Sequence, residues 1–170
     1  MLIREAHGAA DMAAFARLCR DYVDWNRTRY ADLAWLVDAI FAHQSLEAEQ
    51  AALPGDFGPP GGAIVLAERD GQIVAGGAYR RLDSQTCEMK RLYVAPEASG
   101  VGLGRQLAGA LIDHAQAANY TAMVLDTGDR LHEAQALYAS LGFVPVPMYR
   151  DYPEALQPHI LSYRLALRSV

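Results

Sequence analysis

The chain has 170 residues, 52% of them hydrophobic and 21% charged, with a formal net charge of −5. That length suits one folded unit with a sizeable core, and the acidic balance argues against a general grip on nucleic acid, which needs a basic face. Cys19 and Cys87, the only cysteines, make neither a disulfide framework nor a metal cluster; with no apolar run of signal-peptide or membrane-spanning length, a reducing, cytoplasmic setting is expected.

In chain order, LIREA (2–6) reads as a short strand. Residues 9–25 follow with helical periodicity, Met12, Phe15, Leu18, Cys19 and Tyr22 sharing a face. A second helical stretch spans 32–53, and PGDFGPPGG (54–62) breaks it into a loop. AIVLAER and QIVAGGAYRRL flank Asp70-Gly71, a strong hairpin signal. TCEMKRLYVA (86–95) is a third strand, so three antiparallel strands lead into the segment APEASGVGLGRQL. A helix is expected over about 103–118, a strand over 121–127 and a helix over 131–141 ending at Gly142 in a left-handed cap. FVPV, a Pro-rich loop and a final strand at 159–167 complete the chain, with no repeats and no internal boundary.

Gly100, Gly102 and Gly104 stand where a helix begins, although glycine is costly in helices. A dinucleotide fingerprint needs G-x-G-x-x-G and a phosphate loop of the Walker type needs a Lys; the spacing here is G-V-G-L-G and there is no such Lys. A pyrophosphate cradle made of backbone remains, beside the plain alternative of a tight turn. A helix start has unpaired N–H groups and partial positive charge, and absent side chains let a phosphate approach. Arg105 is badly placed for the helix dipole unless it faces an anion.

EMKRLYVAPEASGVGLGRQL resembles the acetyl-CoA-binding segment of the GCN5-related N-acetyltransferases (the GNAT superfamily), and LHEAQALYASLGFVPV resembles that family's second segment, a helix of the A-x-x-LY-x-x-x-GF type before a short strand. The resemblance covers nearly the whole chain. It implies one α/β domain over 1–170, with a mixed, mostly antiparallel sheet splayed between two parallel strands and helices on both faces. It further implies acetyl-CoA as cosubstrate, no metal, and a primary amine as acceptor, on a small molecule or a peptide. Neither nucleic acid nor membrane is an expected partner, and a homodimer is a candidate assembly. Leu92, Tyr93 and Val94 match the strand that bonds the pantetheine arm. Ser99, Gly100, Val101, Gly102, Leu103, Gly104 and Arg105 match the pyrophosphate loop, with Ser99 where the family usually has Arg or Gln. Leu131 replaces an Asn that many relatives carry.

The same resemblance makes Tyr138 the general acid that protonates the departing thiolate and Glu88 a candidate general base. Taken alone, Tyr138 could be a core tyrosine with a bonded hydroxyl, and Glu88 an exposed charge paired across the meander. Asp126 is a second candidate base. Tyr22, Trp25, Tyr149 and Tyr152 are candidates to line the acceptor site, unless they simply pack. The histidines His43, His114, His132 and His159 lack metal-like spacing. A non-catalytic acyl-CoA-binding module is the alternative from another functional class, and a dinucleotide-dependent oxidoreductase is disfavoured by the glycine spacing. The acidic composition mildly favours a cationic acceptor.

Overall fold

Alternation along the central strands sorts side chains to two faces. In β2 (Ala63–Arg69), Ala63, Val65 and Ala67 pack on one side of the sheet while Ile64 and Leu66 pack on the other. The turn to β3 (Gln72–Arg81) uses Asp70 at φ 54° and Gly71 at φ 78°. Two consecutive positive φ values match the twist of a tight hairpin, which explains the Asp-Gly pair. β4 (Thr86–Val94) completes the meander. The computed structural model describes residues 1–167, so the last three residues of the expected 1–170 domain lie outside the described residues.

With β1 (Leu2–Glu5), β5 (Ala122–Gly128), β6 (Val144–Val146) and β7 (Ile160–Ala166), the sheet has the order β1-β2-β3-β4-β5-β7-β6. Among the described residues only β4 and β5 run parallel; the other neighbours are antiparallel. Helices cover both faces. On one side α4 (Leu103–Ala117) buries Leu103, Leu107, Leu111 and Ala115 at the spacing of a single helical stripe. α5 (His132–Ser140) contributes Ala134, Leu137 and Tyr138 to the same cluster. Its end has Gly142 at φ 93°, as the sequence pattern predicts.

The other face carries α1 (Gly8–Arg29), one turn longer than its pattern suggests, with Phe15, Leu18 and Cys19 buried. The expected helix over 32–53 is two helices, α2 (Ala34–His43) and α3 (Leu46–Ala51), separated by Ser45 at φ 55°. The chain is polar here, His43-Gln44-Ser45, and Ser45 before Glu47 and Glu49 is a helix-start signal that the expectation of one continuous helix passes over. Tertiary bonds hold the break: Gln44 and Glu49, on either side of it, both accept from the Arg91 guanidinium, at 2.7 and 2.8 Å.

Two irregularities in β4 create the site. First, β4 pairs with β5 only from Thr86 to Glu88, and the strands then separate. Tyr93 and Val94 therefore have a ladder on the β3 side alone, and Leu92 lies in the irregularity just before them. Second, β4 bulges opposite Gly76–Ala78, with Arg91 at φ 59°. An inserted residue shifts the alternation by one. Glu88 and Lys90 before the bulge and Arg91 and Tyr93 after it thus face the α1–α2 side, while Cys87, Met89, Leu92 and Val94 pack toward α4.

Candidate active site

The gap between the separating strands is a cleft of about 500 Å³. Leu92, Tyr93 and Val94 form one wall and Leu131, Ala134, Leu137 and Tyr138 another, with Ser99, Gly100 and Gly104 at one end. An extended chain entering the gap meets unpaired backbone on β4, as an added strand would.

The glycine loop opens onto this cleft for reasons that differ by residue. Gly100 and Gly102 sit at φ 81° and 76° in open space, so their role is conformational. Gly104 has no unusual φ; a Cβ there would lie 3.5 Å from Leu137, an ordinary contact, so folding alone does not demand glycine. The first backbone bond of α4 runs from the Gln106 amide to the Gly102 carbonyl, 3.2 Å. The amides of Leu103, Gly104 and Arg105 precede it and have no acceptor inside the helix. That is a cradle suited to a pyrophosphate, approached over two residues without side chains. The Leu103 side chain belongs to the core, and Val101 is exposed. Arg105 donates to Ser140 Oγ at 2.6 Å, and Ser99 Oγ donates to the Pro96 carbonyl at 2.7 Å.

Tyr138 is buried against Phe143 and Tyr163, with ring centroids 5.7 and 6.4 Å away. Its hydroxyl has no hydrogen-bond partner among the described residues, although the residue lines the cleft. A core tyrosine normally satisfies its hydroxyl. Burial pushes the phenol pKa up, which keeps it protonated at neutral pH.

A second, smaller cavity of about 70 Å³ adjoins the cleft, sharing Tyr22, Thr127 and Leu131 with it. Glu88, Lys90, Arg91 and Asp126 line it together with apolar residues of α2. Glu88 is 1% exposed and is the centre of a charged network. Arg80 donates to it at 2.9 Å, Tyr149 at 3.0 Å, and Arg150 makes a very short contact. Burial pushes the Glu88 pKa up, but Lys90, Arg150 and Arg80 outweigh it and bring it down to about 2. Asp126 accepts from Ser162 at 2.6 Å and Tyr152 at 3.0 Å; burial dominates there, and its pKa is raised.

Of the residues expected from the sequence, the structure brings Leu92, Tyr93, Val94, Ser99, Gly100, Gly104 and Tyr138 to the cleft, and Glu88 and Asp126 to the adjoining cavity. Tyr22 stands between the two and Trp25 in the cleft, whereas Tyr149 and Tyr152 lie behind the carboxylates and donate to them. The predicted cross-strand partner of Glu88 exists, since Arg80 is its register neighbour, but the pair is buried rather than exposed. His43 and His159 bond the Asp151 carbonyl and the Asp129 carboxylate. Sequence reasoning missed Lys90, Arg91 and Arg150. The available signal was E-x-K-R within an otherwise apolar strand, a pattern that also suits a solvated strand face.

The Acetyltransferase (GNAT) family model matches residues 15–143. An uncharacterised N-acetyltransferase of Schizosaccharomyces pombe is 37% identical over 127 residues, 73% of this chain and 76% of that one. An acetyltransferase from Streptococcus agalactiae has the same fold, with a TM-score of 0.75, 21% identity and 98% of each chain covered. A putative acetyltransferase from Salmonella typhimurium, solved with its cofactor acetyl-CoA, aligns at a TM-score of 0.63 with 22% identity over 99% of this chain and 94% of that one. Family match, splayed parallel strands and glycine-led helix coincide on the same residues, and the chain belongs to the acetyltransferase (GNAT) family, whose members are acetyl-CoA-dependent acyltransferases.

Proposed function

We propose that the protein transfers an acetyl group from acetyl-CoA to a primary amine by direct attack in a ternary complex. The observation that carries this reading is a cleft walled by the unpartnered Tyr138 hydroxyl and joined to a separate acceptor-sized cavity. Pyrophosphate sits on the amides that open α4, and the pantetheine arm runs along Leu92–Val94. The acceptor nitrogen reaches the thioester carbonyl from the junction at Tyr22, Thr127 and Leu131.

Attack forms the C–N bond, and the oxyanion is held by backbone N–H groups that the strand separation leaves free. The C–S bond then breaks, the thiolate takes the phenolic proton of Tyr138, and the proton that the former amine nitrogen sheds as the amide forms restores the phenol. The acceptor must arrive as a neutral amine, so its ammonium loses a proton to a carboxylate in the adjoining cavity. Glu88, the expected base, is held ionised by three cations, and a carboxylate so stabilised is a weak proton acceptor. Asp126 has the raised pKa and the better driving force, so the proposal gives it the proton. Glu88 then acts as a positioning residue that holds Arg80 and Arg150.

Coenzyme A release in the presence of an amine and peptide panel tests the reading. Steady release with at least one amine is expected. Asp126→Asn should lower turnover at neutral pH with partial recovery at high pH, where more acceptor is already neutral. An unchanged profile in Asp126→Asn, with a loss in Glu88→Gln rescued at high pH, would return the base role to Glu88. A melting temperature raised by acetyl-CoA without coenzyme A release from any amine would favour a binding module.

A further inference from the structure

Lys90 is the one charged group lining the acceptor cavity that makes no hydrogen bond among the described residues. Its side chain is 6% exposed. The nearest carboxylate oxygen, Glu88 Oε1, is 3.9 Å from Nζ, outside hydrogen-bond reach. An ammonium carries three donors, and burying it without acceptors is expensive.

The carboxylates nearby are already engaged. Glu88 accepts from Arg80, Tyr149 and Arg150; Asp126 accepts from Ser162 and Tyr152; and Glu49 gives both oxygens to Arg91. Arg150 Nε, 3.8 Å from Asp126 Oδ2, is a buried donor without an acceptor behind the cavity wall. The cavity itself therefore presents one unused cationic donor, Lys90, although the whole chain is acidic. A ligand at this depth feels the nearby charges more than the distant net charge.

We propose that the acceptor is an amino acid with a free carboxylate, which pairs with Lys90 while the amine lies toward Asp126 and the junction with the cleft. This rests on the acetyl-transfer reading above. The cavity offers a group for each end of such a ligand: Lys90 on β4, and Asp126 on β5 next to Thr127, which walls both cavities. A carboxylate supplies the acceptors that Lys90 lacks. A polyamine or a lysine-rich peptide would place a second cation against it. Burial and Arg91, with Arg80 and Arg150, hold Lys90 down to about 7 against the opposing pull of Glu88, so a docked carboxylate also draws this amine back to its charged form.

The test compares the twenty L-amino acids with their carboxamides, which keep the amine and remove the charge. Coenzyme A release is measured for the wild type and for Lys90→Met, a substitution that preserves length and burial. For the best acceptor, kcat/KM should favour the acid over the amide by about 10²-fold, in line with the cost of leaving a buried charge unpaired. Lys90→Met should reduce that ratio to about threefold or less, with KM for acetyl-CoA unchanged and a melting temperature at or above that of the wild type. Amides that match acids in the wild type would overturn the proposal. So would a ratio that survives in Lys90→Met, or an equal loss on acids and amides. Melts of the coenzyme A-loaded protein with each acid and amide read binding without turnover. Stabilisation by acids, lost in Lys90→Met, supports the anion site even if no acceptor turns over, in which case it is the transfer reading that fails. No stabilisation by any acid overturns the site.

Discussion

The two cavities that meet at Tyr22, Thr127 and Leu131 are built by opposite means. The larger cleft owes its opening to backbone: a strand that stops pairing, a helix start and glycines, with apolar side chains and the Tyr138 phenol along its walls. The smaller cavity is a network of ionised and polar side chains from β3, β4, β5, α1–α3 and the loop before β7. A backbone site tolerates sequence change wherever the main chain keeps its course. A side-chain network depends on every partner, because each buried charge is stabilised only by its neighbours. On the proposed reading, a general device holds the cofactor and a particular one holds the acceptor.

The largest effect should come from breaking the network at its centre. Glu88→Ala leaves Arg80, Arg150 and Lys90 without their shared anion, and urea denaturation at neutral pH should show a loss of about 3–5 kcal/mol. The same carboxylate has a pH signature. Its folded pKa of about 2 lies below its ordinary 4.5, so its contribution is complete above 4.5 and disappears as pH falls toward 2. Linkage puts that contribution at about 3 kcal/mol. Glu88→Gln should flatten this part of the stability–pH curve; a curve that keeps its slope would locate the acid sensitivity in another pair, such as Arg4–Asp11.

Next in size is Tyr138→Phe, which removes a single oxygen from the cleft. Turnover should fall about 10²-fold, the low end for a general acid, because a thiolate is a tolerable leaving group. The hydroxyl has no hydrogen-bond partner among the described residues, so the melting temperature should hardly move. A fall of less than about threefold with intact acetyl-CoA binding would remove Tyr138 from the mechanism.

The glycines give the smaller effects and separate two uses of one residue type. Gly102→Ala forces a side chain into left-handed backbone and should cost about 1–2 kcal/mol of stability. Gly104→Ala has no such strain. It replaces glycine within α4, where alanine is favoured by about 1 kcal/mol. Its melting temperature should hold or rise, while the rise on adding acetyl-CoA shrinks because the new methyl borders the cleft. Equal stabilisation of wild type and Gly104→Ala by acetyl-CoA would show that the phosphates approach from elsewhere.

Local chemistry made much of the cofactor side readable. Asp70-Gly71 demands a tight hairpin, the stripe of Leu103, Leu107 and Leu111 demands a buried helix face, and alternate glycines before that helix mark exposed amides. The resemblance then joined these local features to a cofactor. All of them depend on residues close in the chain, whose consequences are fixed by backbone geometry. The acceptor side depends on contacts between distant residues. That Glu88 is buried with Arg80 and Arg150, sixty-two positions from the latter, could not be read from a charged residue in a strand. The bulge at Arg91 that turns Lys90 and Tyr93 to the same face has no marker in EMKRLYV, and although Ser45 marks a helix start, nothing near it tells that Gln44 and Glu49 meet Arg91. Sequence by itself determined the elements, their order and the helix-start cradle, because each is a short-range consequence of side-chain shape and backbone freedom. Only the tertiary structure decided which charges are buried together, because desolvation and Coulomb attraction depend on what surrounds a group in space rather than on what flanks it along the chain.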